Sequence, residues 1–86
     1  MKEYEYPAVV AFGYGDGELW VANFPGLSGC WVEGKDREDV LNRAPAVLME
    51  YIRSCIDAEW PIPEAPDAAE LEDAHAGEII MIKVKI

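Results

Sequence analysis

Two hydrophobic periods divide the chain. From Tyr4 to Phe12 the residues alternate: Tyr4, Tyr6, Ala8, Val10 and Phe12 share one side, which predicts a strand. Pro7 lacks an amide proton, so the start of this strand should lie at a bulge or face an unpaired side. Gly13 to Gly17 forms a turn, with Asp16-Gly17 as its hairpin pair. A second strand runs from Glu18 to Phe24, with Trp20, Ala22 and Phe24 opposite Leu19, Val21 and Asn23. Pro25-Gly26 and Ser28-Gly29 punctuate the next connection. Cys30 to Glu33 is a short third strand, in which Trp31 and Glu33 oppose Cys30 and Val32. The first three strands form an antiparallel meander.

The period then changes. Val40, Leu41, Ala44, Val47, Leu48, Tyr51, Ile52, Cys55 and Ile56 make one apolar stripe at helical spacing. Asp36 caps this helix, and Glu38 and Asp39 suit the positive end of its dipole. Pro45 removes the bond to the Leu41 carbonyl, a change that costs roughly 3 kcal/mol in a straight helix. It falls away from the stripe, so the spacing predicts one kinked helix over 37–58 with the proline outside. The prolines of Trp60-Pro61-Ile62-Pro63-Glu64-Ala65-Pro66 stiffen an extended connector. Asp67 to Ala76 is a short helix. Glu78 to Ile86 is a last strand, with Ile80, Ile82, Val84 and Ile86 on one side. The order is β-β-β-α-(short α)-β, an α+β domain with one main helix packed on one face of a four-stranded sheet. The long connection predicts a mixed sheet, with the last strand parallel to the first.

Eighty-six residues make one domain over 1–86, with a small core. The formal net charge of -10 disfavours direct contact with nucleic acid and suits a basic protein partner. The N-terminus has no signal pattern, and no apolar run approaches the ~20 residues of a membrane span. A cytoplasmic location is expected, with Cys30 and Cys55 as free, buried thiols.

Catalytic chemistry has few candidates. His75 is the only histidine, and its acidic, alanine-rich setting favours a solvated side chain. Cys30 and Cys55 read as core residues. Ser28 and Ser54 have no histidine in the same local motif. The glycines at 13, 15 and 17 are not followed by a helix, which argues against a phosphate loop. The acidic residues between Asp57 and Glu78 lack the spacing of a calcium loop and read as a solvated face or a surface for a basic protein. No catalytic residue, metal or cofactor is expected. Tyr14, Trp20, Trp31 and Trp60 exceed what one small face buries easily, and exposed aromatics of this kind mark protein interfaces.

Four segments resemble the HicB family of antitoxins and HicB-like single-domain proteins. Tyr6-Pro7-Ala8-Val9-Val10 is similar to the family's opening strand. Phe24-Pro25-Gly26-Leu27-Ser28-Gly29-Cys30 resembles its Phe-Pro-Asp-Leu-Pro-Gly-Cys motif. Gly34 and the acidic helix start resemble Gly-Asp-Thr-x-Glu-Glu-Ala. Trp60 to Pro66 resembles the Pro-Ile-Pro-Glu-Pro connector. Gly26 and Ser28 stand where the family usually has Asp and Pro, which predicts a looser loop. The resemblance implies a partial RNase H-like fold but not ribonuclease activity, because the central run of the first strand, Ala8 to Phe12, holds none of the carboxylates that such catalysis needs. It also implies binding to a small basic toxin of the HicA type and occlusion of its mRNA-cleaving site.

Asp16, Glu18 and Glu33 are the carboxylates expected to steer that encounter, with Trp31 as the buried contact. With the sequence ending at Ile86, no operator-binding domain is expected. The alternative is an orphan structural domain that forms a homo-oligomer without a toxin; a dimer or tetramer is expected under either reading.

Overall fold

A computed structural model describes residues 2–14, 19–74 and 77–86. The strands are β1 (Glu3–Tyr14), β2 (Leu19–Asn23), β3 (Trp31–Gly34) and β4 (Glu78–Lys85). The helices are α1 (Arg37–Asp57) and α2 (Ala68–Ala74). The sheet order is β3-β2-β1-β4. The turn expected around Asp16-Gly17 lies outside the described residues.

Strand alternation sorts the side chains as the sequence pattern requires. Tyr6, Ala8, Val10, Ala22, Phe24, Val32, Ile82 and Val84 point to one face and are buried there. Val40, Ala44, Leu48 and Ile52 of α1 seal that face, each with no exposed surface. The two sets, with Leu27 and Cys30, form one core. The opposite face is partly covered as well: Pro7, Val9 and Val21 are buried on it. Leu71 of α2 is also buried, and α2 packs against β4.

Helix α1 is one element, not two, with Pro45 inside it. The proline is half-buried and does not stand fully outside. Asp36 caps the helix: its extended backbone lets Oδ1 accept the Asp39 amide at 2.7 Å. Ile56, expected on the stripe, is 44% exposed. In the last turn only Cys55 keeps the inward direction.

The expected mixed sheet is corrected by β4. Every strand pair is antiparallel, and β4 pairs with β1 from Glu3↔Lys85 to Val10↔Glu78. The reason lies in where the chain is delivered. Strand β3 runs in the same direction as β1, so α1 returns toward the end where β1 begins. A strand starting there would be parallel. Instead, the proline-rich connector and α2 carry the chain back to the end where α1 starts. The seven-residue connector spans about 22 Å in polyproline geometry, against about 31 Å for the length of α1, so α2 is needed to complete the return. Arg37 Nε and Nη2 hold Glu78 Oε1 and Oε2 at 2.8 and 2.9 Å, tying the first residue of β4 to the first turn of α1. That pair is solvent-exposed, so it marks the return point more than it adds stability.

Pro7 faces an unpaired side, as expected. Reciprocal bonds between Lys2 and Ile86 set the phase of the β1–β4 ladder. Even-numbered residues of β1 therefore point their backbone groups at β4, and odd-numbered ones away. β2 pairs with β1 only from Val9 onward, so the missing N–H of Pro7 meets no strand. The bulge in β1 lies elsewhere, between Phe12 and Tyr14.

The β2–β3 connection is a pair of consecutive turns. Leu27 N donates to Phe24 O and Cys30 N to Leu27 O, both at 3.1 Å, and Phe24 N closes on Cys30 O at 3.0 Å. Gly26 and Gly29 occupy the third positions with φ of 86° and 76°, the requirement of a type II turn. The loop expected to be loose is thus bonded at both turns and across its base. A methyl group at Gly29 would meet nothing within 4 Å. Gly29→Ala should therefore cost only the left-handed backbone penalty, about 1 kcal/mol. Urea denaturation of the two proteins checks this.

Candidate functional site

The end of α1 is closed by its own backbone. Trp60 N donates to Cys55 O at 2.9 Å, and Glu59 N donates to Ile56 O at 3.1 Å. These are the two bonds of a Schellman motif, and Glu59 takes the left-handed position with φ 58°. The motif turns the chain sharply and sets Trp60 beside the helix it has just left.

Trp60 thereby helps line a groove of about 570 Å³. Ser28 to Trp31 form one wall, and Val47, Glu50, Tyr51, Ser54 and Cys55 of α1 form the other. Trp31 is 49% exposed and Trp60 68%. Two large aromatic side chains thus border one concavity beside the β3 edge of the sheet. Tyr51 is half-buried within it and Glu50 is exposed.

The backbone of β3 adds a second feature. Ladder phase carried across β1 and β2 points the backbone groups of Val32 and Gly34 toward β2. Those of Trp31 and Glu33 point outward. Arg43 Nη1 takes the Glu33 carbonyl at 2.7 Å, which covers that part of the edge. Among the described residues, no backbone partner occupies the outward groups of Trp31.

Two of the polar side chains here have defined surroundings. Burial pushes the Cys30 thiol up to about 11, so it is neutral near pH 7. Its sulfur lies 4.0 Å from the Val47 carbonyl. Ser54 Oγ donates to Glu50 O at 2.9 Å and is committed to its own helix. Among the described residues, no three His, Cys, Asp or Glu side chains converge to hold a metal ion.

Of the residues expected at a partner site, Trp31 and Glu33 lie on the same side of β3, two residues apart, and both are exposed. Asp16 and Glu18 lie outside the described residues, as does His75. Trp60, Tyr51 and Glu50 were not expected at the site. Trp60 was visible only as a surplus aromatic, because its position depends on the helix closure.

Comparison places this fold among known structures. A chain of the HicA3 and HicB3 toxin-antitoxin complex superposes with a TM-score of 0.59 at 20% identity. The match covers 95% of this chain and 96% of that one. It shows a shared fold across nearly the whole domain. No family model and no curated protein matches the sequence.

Two outcomes follow from the site's construction. Glu59→Gly should stabilise the protein by about 1 kcal/mol, because glycine carries no left-handed penalty; thermal or urea unfolding reads this directly. The Cys30 thiol is raised from 9.0 to about 11 in the fold. The unfolded chain therefore releases this proton first, and the associated stability is intact below pH 9 and lost as pH rises toward 11. Urea midpoints between those pH values should fall less steeply for Cys30→Ala than for the unsubstituted chain.

Proposed function

We propose that the chain is a HicB-like antitoxin domain that binds a small basic toxin of the HicA type. On this reading the domain occludes the toxin's mRNA-cleaving site and performs no catalysis itself. The observation that carries the proposal is the near-complete superposition on a chain from a toxin-antitoxin complex. The surface chemistry fits: the chain carries a net charge of -10, Trp31 lines the aromatic groove, and Glu33 is exposed on the same side of β3 two residues on. A basic partner would be steered by charge and anchored by an aromatic contact.

In this reading the β-β-β-α-β order is a partial RNase H-like arrangement with its last strand reversed, kept as a binding scaffold. The middle of β1, Ala8 to Phe12, offers no carboxylate for a two-metal site. The neutral Cys30 thiol and the committed Ser54 hydroxyl favour the same non-enzymatic reading. A cytoplasmic location goes with it. Among the described residues, no helix is long and apolar enough to cross a membrane.

The test is co-expression with a small basic protein encoded beside this chain, followed by an RNA-cleavage assay. The expected result is a stable complex in which cleavage is suppressed. A partner that binds and still cleaves at its free rate would overturn the proposal. Trp31→Ala should weaken the complex about tenfold or more while leaving the fold intact, as expected for an aromatic anchor. Calorimetric titration, with circular dichroism as the folding control, measures both.

A further inference from the structure

The opposite edge of the sheet has a free strand. The Lys2–Ile86 pair and the unbroken register to Val10↔Glu78 fix the phase of β4 along its whole length. Residues Glu78, Ile80, Ile82 and Val84 direct their backbone groups at β1. Ile79, Met81, Lys83 and Lys85 direct theirs outward. Among the described residues, none of these outward groups is bonded to another part of the backbone. The strand holds eight residues and no proline. Short strands, bulges and prolines are common ways to blunt an edge; β4 has none of these and carries two outward lysines, while α2 packs against the strand.

Those lysines are partly neutralised from within. Lys83 Nζ lies 3.6 Å from a Glu3 carboxylate oxygen and 3.9 Å from one of Glu5. Of the chain's seven basic residues, Lys2, Arg37, Lys83 and Lys85 lie on β4, at the β1 end bonded to it, or in the ion pair with Glu78. In a chain of net charge -10, these four cations offset Glu3, Glu5 and Glu78 and leave this pair of strands close to neutral, so they add little repulsion between two copies. Apolar surface also remains there. Met81 is 44% exposed, and Ile79, Ile80 and Ile86 are only half-buried.

We propose that β4 pairs antiparallel with β4 of a second copy, about a two-fold axis at Ile82, to make one continuous eight-stranded sheet. Backbone phase permits only registers that pair odd-numbered residues with odd-numbered ones. The register centred on Ile82 uses the whole segment from Glu78 to Ile86. It sets Ile80 against Val84 of the other copy and Ile82 against its own symmetry mate, extending the helix-facing apolar row across the junction. On the other face Met81 meets Lys83, and Ile79 meets Lys85. A register centred one residue later would place Lys83 directly against Lys83. The contact is isologous and closes on itself, so it ends at a dimer. It leaves the groove at the far β3 edge open and does not depend on toxin binding.

Sedimentation of the purified full chain over a range of concentrations, with residue-resolved amide hydrogen exchange, tests the proposal. The expected result is a monomer–dimer equilibrium. In the dimer the Ile79, Met81, Lys83 and Lys85 amides exchange slowly, and they quicken on dilution. Met81→Lys places like charges opposite each other twice per dimer and should weaken association about tenfold. Because Met81 is half-exposed, slow exchange at Ile80, Ile82 and Val84 should persist and show that the fold is kept. A monomer at every concentration would overturn the proposal. So would a dimer in which the four outward amides exchange freely, or one whose affinity Met81→Lys leaves unchanged.

Discussion

Val40, Ala44, Leu48 and Ile52 recur every four residues and are each sealed from solvent against one face of the sheet. The other elements are placed by that contact. It fixes which side of each strand is apolar, because a shift of one residue would turn every strand's core row outward. It sets the height at which β3 and its loop meet the helix, through Val32, Leu27 and Cys30. It also makes the groove, since the second half of α1 is one wall and the β2–β3 loop is the other. Destabilising this packing would therefore disturb the fold and the site together.

Much of the architecture was legible in the chain because side-chain period is a local property. The alternation in β1, β2 and β4 and the stripe in α1 name both the elements and their inner faces. The direction of β4 was not legible in the same way. Ile80, Ile82 and Val84 present the same apolar row whether the strand runs up or down beside β1. Direction depends on where a connector and a seven-residue helix deliver the chain, and on the Arg37–Glu78 pair between residues 41 positions apart. No local pattern encodes a contact of that range.

The site divides along the same line. Strand parity placed Trp31 and Glu33 together on one side of β3. Trp60 could not be placed, because its position follows from a left-handed backbone at Glu59. Glycine at that position would have signalled a helix closure, and glutamate does not. The ladder phase that leaves Trp31 with open backbone groups likewise depends on three strands in register, and so appears only once the sheet is assembled.

Pro7 sits in the middle of the most β-prone run of the chain, Tyr4 to Phe12. Before the sheet forms, such a run is the kind of segment that stacks with copies of itself into fibrils. Proline interrupts that stacking, because each chain in a stack would lack a donor at the same level. In the folded domain the same residue costs no ladder bond, since its nitrogen faces the gap beyond the end of β2. The short second strand thus has a consequence for the nascent chain. By stopping at Asn23, it leaves room for a residue that protects the unfolded state from aggregation at no cost to the folded one.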